Sequence, residues 1–242
     1  MSYHWNWGIF WAQSPEGTGT YLSVLLGGLV TTIEVSAIAW TVAMVAGTVV
    51  GLLRVLPGRI TQAAGTVWVE LFRNIPLLVQ LFLWYFVLPE VLPEAAGAWI
   101  KGLRNAPFLI AVVGIGLFMS ARVAEQLRAG LSALPQGQSY AGTALGLTTL
   151  QTYRYVLLPM AFRIILPPLT SELINTIKNT SVALTIGLLE LTARARAMQE
   201  FSFQVFEAFT AATLAYLIVN LLATIAMRAL ERRVRVPGYV GG

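Results

Sequence analysis

The sequence predicts an all-α integral membrane protein with about five transmembrane helices, and three observations carry that expectation. Of 242 residues, 57% are hydrophobic and 11% are charged, where a soluble domain holds about 25% charged residues. The mean hydropathy is +0.71. The apolar residues gather into runs approaching or exceeding the roughly 20 helical residues that cross a hydrocarbon core. Composition also narrows the chemistry. The chain has no cysteine and no aspartate, and His4 is its one histidine. It therefore lacks disulfides and thiolate metal sites and is poorly equipped for hydrolysis. A net charge of +5 fits basic loops along one membrane face better than a nucleic-acid surface.

The segment 1–20 has no basic stretch ahead of a short apolar core, so no cleaved signal peptide is expected. Trp5, Trp7 and Trp11 read as interfacial anchors, because indoles favour the headgroup zone. The first run, Tyr21 to Leu53, contains Glu34 as its only charge and is long enough to tilt or to begin on the membrane surface. Gly27–Gly28 and Gly47 with Gly51 give it small-residue faces for close helix packing, expected within the chain. The second run is Asn74 to Leu92. The third, Pro107 to Ala121, is short, and Arg122 and Glu125 follow it directly. The fourth extends from about Leu166 to Leu191 and is interrupted by Glu172, Lys178 and Glu190. The fifth is Phe209 to Met227. We divide the chain into an interfacial segment 1–20, a transmembrane domain 21–230 and a tail 231–242.

Five spans place the two ends on opposite sides, and the basic residues orient them. Arg54, Arg59, Arg73, Arg122, Arg128, Arg154, Arg163, Arg228, Arg232, Arg233 and Arg235 flank connections on one side. Lys101, Arg104, Arg194 and Arg196 lie on the other. By the positive-inside rule the first side is cytoplasmic, leaving the amino terminus periplasmic and the carboxyl terminus inside.

One cytoplasmic stretch, YAGTALGLTTLQTYRYVLLP from Tyr140 to Pro159, is too polar for its surroundings. Thr148 followed by Gln151 predicts a capping box. Gly146, just before it, suits the left-handed residue that ends a helix. The pattern is a helix over Pro135 to Leu145, a turn at Gly146–Leu147 and a helix from Thr148 to Leu158, with Pro159 bending the chain back to the membrane. On residue pattern alone, an ordinary loop and a docking hairpin are equally open, although most connections are shorter.

This stretch resembles the EAA loop of permease subunits in bacterial ABC importers. There, Glu-Ala-Ala, three variable residues and a glycine precede a helix ending near Leu-Pro. We place the triplet at Ser139, Tyr140 and Ala141, the glycine at Gly146 and the Leu-Pro at Leu158–Pro159. VELFRNIPLLVQLFLWYF, ARVAEQLRAGLSALPQGQ and LPPLTSELINTIKNTSVALTIGLLEL resemble the polar amino acid permeases of that superfamily. The opening WNWGIF and closing RRVRVPGY resemble its glutamate/aspartate import permeases.

The resemblance implies a type I importer permease fold in the bacterial inner membrane. Its coupling helix would insert into a groove on an ATPase, and Gln138, Ser139, Tyr140, Ala141, Gly142, Gly146, Leu147 and Pro159 would form that contact. The implied partners are an ATPase subunit dimer, a second homologous permease in a heterodimer, a periplasmic amino acid-binding protein and membrane lipid, with no nucleic acid. No cofactor is expected in this chain, since neither Lys101 nor Lys178 follows a glycine as a Walker A loop requires. ATP and Mg would be bound by the ATPase partner.

Ionisable groups within spans are costly and are functional suspects. Arg122 and Glu125, three residues apart, share a helix face and can neutralise each other. An edge ion pair and a substrate site are equally open by spacing. As a substrate site, Arg122 would grip a carboxylate with paired hydrogen bonds and Glu125 would meet the ammonium. Relatives mostly carry an aromatic or apolar residue at position 122 and keep the A-x-x-A-E pattern of residues 121–125. Lys178 reads as packing or gating, and Glu34 as facing a partner helix. A secondary transporter would show inverted repeats and more spans. A membrane enzyme would need clustered catalytic groups.

Overall fold

The computed structural model describes residues 3–15 and 19–234, so Arg235–Gly242 of the expected tail lie outside the described residues. A 3-10 turn, Trp7–Trp11, is followed by α1 (Tyr21–Val55), α2 (Arg59–Asn74) and α3 (Leu77–Phe82). A π turn, Leu83–Val87, leads into α4 (Leu88–Val91), then come α5 (Glu94–Lys101), α6 (Ala106–Ser132), α7 (Gln136–Ala144) and α8 (Thr149–Thr152). A second π turn, Tyr153–Leu157, joins α9 (Leu158–Asn179), which tightens into a 3-10 segment, Thr180–Ile186, before α10 (Leu191–Ser202) and α11 (Val205–Val234). No strand forms among the described residues beyond one isolated bridge, Gln13 to Thr20.

Among the described residues four helices are long and apolar enough to cross a membrane: Tyr21–Val55, Ala106–Ser132, Thr149–Ile186 and Val205–Val234. The expected second span is different. Leu77–Val91 meets Arg59–Asn74 at 100°, and at 1.5 Å per residue it reaches only about 22 Å against a core of about 30 Å. The bend follows from Pro76, whose extended ψ of 139° stops helix continuation and which disfavours helix at Ile75. The chain crosses five times only if this bent pair counts as one span.

Two further boundaries differ from expectation. Pro159 does not end its helix; it is the second residue of α9, within the continuous Thr149–Ile186. Both π turns directly precede a Leu-Pro pair, Leu88–Pro89 and Leu158–Pro159. The added residue in a π turn relieves the clash between a proline ring and the carbonyl four residues back. The fourth run also stops early, because Gly187 takes a left-handed φ of 86° and Glu190 becomes the N-cap of α10.

The chain divides into two compact units that share its long helices. The first contains residues 1–41, 75–116 and 175–221. Tyr21, Leu25, Leu191, Ala195, Met198, Ala208 and Ala212 form its core. Glu190 is fully buried there, and it accepts from the N–H groups of Thr192 at 3.0 Å and Ala193 at 2.8 Å and from the Tyr216 hydroxyl at 2.8 Å. The Leu191 N–H donates to Thr32 Oγ1 at 3.2 Å. The free N–H groups of this helix start are thereby satisfied. Glu207, also fully buried, accepts from the Asn6 N–H at 2.6 Å and from the Tyr3 hydroxyl, which pins the amino-terminal segment to α11. Trp5, Trp7 and Trp11 are exposed as interfacial anchoring requires.

The second unit contains residues 42–74, 117–174 and 222–242. Its helices meet through glycines. A Cβ on Gly47 would lie 2.6 Å from Val123 Cβ and 2.8 Å from the Ser120 carbonyl oxygen, and one on Gly51 would lie 3.1 Å from the Ala124 carbonyl oxygen. In the first unit Gly28 touches the backbone of Glu190 in the same way, but Gly27 faces open space. The expected packing role therefore holds at Gly28, Gly47 and Gly51 and not at Gly27.

A further close approach of this kind, in the second unit, gives a stability prediction. A Cβ on Gly130 would lie 2.3 Å from Ile165 Cγ2, and Ile165 is itself buried. Gly130→Ala is expected to cost about 1–3 kcal/mol through overpacking, read as a lower unfolding temperature in detergent. Adding Ile165→Val should recover part of that loss, and Gly27→Ala should be close to neutral. Equal unfolding temperatures for the Gly130 and Gly27 variants would contradict the packing account.

Candidate functional site

The polar stretch forms the expected hairpin. Pro135 caps α7, Leu145 ends it, and Gly146 takes φ 75°. Thr148 Oγ1 accepts from the Gln151 N–H at 3.3 Å, and Gln151 Oε1 accepts from the Thr148 N–H at 2.8 Å, which completes the capping box. Gly142 is buried, and a Cβ there would lie 2.7 Å from Thr152 Cγ2, so the two arms of the hairpin close on that glycine. The Thr143 hydroxyl donates to the Ser139 carbonyl at 3.2 Å. The outer surface carries Tyr140, Leu145 and Leu150 at 68%, 79% and 68% exposure. Three such apolar side chains at the tip of a polar hairpin form a surface that suits a protein partner. Ser139, Ala141 and Pro159 are also exposed, while Gln138 and Leu147 are half-buried.

The hairpin corrects one assignment. The left-handed Gly146 is the motif's glycine, and Thr143, Ala144 and Leu145 separate it from Gly142. The triplet position therefore falls on Tyr140, Ala141 and Gly142, one residue later than Ser139, Tyr140 and Ala141. The buried Gly142 takes the last place because anything larger would strike Thr152.

The charged pair is also arranged differently from the i,i+3 reading. Close approach of α1 and α6 at Gly51 brings Arg54, one turn further along α1, to Glu125. Glu125 accepts from the Arg54 guanidinium on one oxygen, and from Arg128 Nε at 3.1 Å and Nη2 at 2.5 Å on the other. Arg122 does not neutralise Glu125. Its Nη1 lies 3.8 Å from Glu172 Oε2, and its guanidinium carbon sits 5.5 Å from the Phe118 ring centre. The Arg122 side chain remains 42% exposed. At the residue after Arg54, the Tyr153 hydroxyl donates to the Val55 carbonyl at 3.2 Å. The end of α1 is thus tied both to α6 and to the segment leaving the hairpin.

Arg54, Arg128, Glu172 and Tyr153 were not singled out by sequence. Arg54 and Arg128 counted as flanking charge and Glu172 as an interruption, because their contacts lie far apart along the chain. Lys178 is exposed, and Glu34 lines a cavity. Among the described residues no group of three or more His, Cys, Asp or Glu side chains could hold a metal ion.

Comparison with known proteins shows the family. The chain is 48% identical over its full length, and over the full length of the relative, to the glutamate/aspartate import permease protein GltJ of Escherichia coli strain K12. It is 33% identical to that organism's glutamine transport system permease protein GlnP, over 96% of this chain and 98% of the relative. A crystal structure of an amino acid ABC transporter with histidines superposes with a TM-score of 0.74 at 29% identity, covering 88% of this chain and 95% of the other. Residues 43–236 match the binding-protein-dependent transport system inner membrane components, and the chain belongs to that family, the permease subunits of ABC importers.

Proposed function

We propose that this permease moves acidic amino acids, glutamate and aspartate, across the bacterial inner membrane. The observation that carries the substrate class is the full-length similarity to a glutamate/aspartate import permease. In this reading a periplasmic amino acid-binding protein delivers the substrate and a second, homologous permease completes the pathway. An ATPase dimer docks on the hairpin through Gln138, Ser139, Tyr140, Ala141, Gly142, Gly146, Leu147 and Pro159, and ATP with Mg is bound there by the ATPase. The exposed Tyr140, Leu145 and Leu150 supply the apolar contact. The Tyr153 to Val55 hydrogen bond, with the Arg54–Glu125–Arg128 cluster beside it, couples movement of the hairpin to α1 and α6.

Arg122 is the substrate contact in this reading. Its partial exposure and its loose 3.8 Å approach to Glu172 leave donors free for a carboxylate. Glu125, held between two arginines, contributes mainly by fixing α1 against α6, and its ammonium contact would require Arg54 or Arg128 to yield. The ends lie as the basic residues orient them, the segment 1–20 periplasmic and the tail 231–242 cytoplasmic. The transmembrane domain 21–230 lies between them, with the coupling loop at about 135–159.

Three experiments test this function. Gly146→Val forces a β-branched residue into a left-handed φ; membrane insertion should persist while ATPase association or transport is lost, and full uptake would reject the coupling role. Arg122→Leu, measured as uptake per assembled complex in liposomes, should slow glutamate or aspartate import. Truncating one partner of a charged contact costs about 2 kcal/mol at the low end, hence roughly 30-fold or more, with basal ATPase activity little changed. A purely structural ion pair predicts instead a lower yield of complexes that transport at the normal rate. Reporters fused to the two termini should lie on opposite sides of the membrane, the carboxyl-terminal one in the cytoplasm. Both on one side would mean that the bent pair Arg59–Val91 does not cross.

A further inference from the structure

Helix α11 is the least buried of the four membrane-crossing helices among the described residues, and its exposed side has an order that contact with lipid alone does not require. Leu214, Ile218, Leu221, Ile225, Arg228 and Arg232 follow one another at alternating spacings of four and three residues, which sets them in one row along the helix. The four apolar members are each more than half exposed, and both arginines are exposed. From Leu214 to Ile225 the row rises about 16 Å at 1.5 Å per residue, close to half of a hydrocarbon core of about 30 Å. The row is therefore apolar for the depth of one leaflet and then turns basic.

The arginines are not used within the chain. Arg228, Arg232 and Arg233 form no ion pair among the described residues, and Glu231, the acid beside them, is half-buried. Three arginines and one glutamate leave this end of α11 with a net charge of plus two. Cations near a helix C-terminus complement its dipole. That accounts for arginines in the last turns, but not for two of them falling in line with the apolar row. A second copy of this chain is an unfavourable cover for this end, because it would bring the same surplus of positive charge against it.

We propose that this row seats an anionic phospholipid, with an acyl chain along Leu214, Ile218, Leu221 and Ile225 and the headgroup phosphate on Arg228 and Arg232. Guanidiniums bind phosphate oxygens through paired hydrogen bonds, and the long arginine stems reach from the apolar boundary into the headgroup zone. By the orientation proposed above, the lipid belongs to the cytoplasmic leaflet, where a basic cluster directly after a span suits anionic lipid. The site rests on that orientation only for which leaflet supplies the lipid, and it is independent of the substrate class.

The test places the assembled permease–ATPase complex in nanodiscs of equal parts phosphatidylglycerol and phosphatidylcholine, with a trace of either lipid carrying a photoreactive group in its acyl chain. The phosphatidylglycerol probe should cross-link to the α11 peptide containing Leu221 and Ile225 in preference to the phosphatidylcholine probe. Arg228→Gln and Arg232→Gln should each lower that preference roughly fivefold, from about 1 kcal/mol per basic residue at a membrane surface. Arg233→Gln, about 100° around the helix from Arg232, should lower it less. Assembly with the ATPase and basal ATPase activity serve as controls for folding. Equal labelling by the two probes, unchanged preference in both row variants, or a loss in Arg233→Gln as large as in Arg228→Gln overturns the site. So does loss of the ATPase or of the second permease from either row variant, which would assign the arginines to a subunit contact. Both leaflets of the disc have the same composition, so the result reads the site whichever way the chain is oriented, and the terminal reporters test the orientation separately.

Discussion

In a hydrocarbon core every peptide N–H and C=O has to find its partner within the protein, and that requirement shapes most of this chain. It selects helices and forces each interruption to be repaired where it occurs. Pro89 and Pro159 each follow a π turn, which keeps the helix running past a residue that cannot donate. At the start of α10, where a helix begins in a buried setting, Glu190 and Thr32 supply the acceptors that water supplies elsewhere. A fully buried carboxylate is justified there because it receives three hydrogen bonds, two of them from backbone groups.

Apolar burial contributes little to helix association in lipid, so close approach has to supply van der Waals contact instead. Glycines permit it, and they also determine which charges meet. Gly51 lets α1 come against Ala124 and Leu127. Arg54, one turn later, then falls on Glu125 in preference to Arg122 meeting it. Arg122 is diverted to Phe118 and Glu172. The same end of α1 accepts the Tyr153 hydroxyl. A helix-packing choice at one glycine thus links the neck of the hairpin to the charged cluster, the kind of contiguous physical path along which docking at one end can bias geometry at another.

How much was legible in the sequence follows from the range of the contacts. The hairpin was readable because its determinants are local: Thr148, Gln151 and Gly146 act over four residues or fewer. Fold class and four of the spans were readable because hydropathy is summed along the chain. The bend at Ile75–Pro76 was missed because an unbroken apolar run concealed a backbone restriction. The ion-pair partners were missed because Arg54 and Glu125 are 71 residues apart, and nothing in either segment announces the other. Glu190 sits in the apolar run LLEL, which hid a local cap on the Thr192 and Ala193 N–H groups, and its bond from the distant Tyr216 appears only in the folded chain.

Glu125 with Arg54 and Arg128 has a surplus of one positive charge. Where a guanidinium binds its own carboxylate in full, as Arg128 does with two nitrogens on one oxygen of Glu125, it has little left to offer a ligand. Arg122 differs, being held only at 3.8 Å. A transporter needs sites of this weaker kind, because a contact that releases its substrate cannot be saturated or rigid, and a substrate bound too well in the membrane would not leave. The clamped carboxylate and the loosely held Arg122 therefore differ in kind: the clamp keeps the helices in register, and the proposed substrate contact rests on the donors that Glu172 leaves loose.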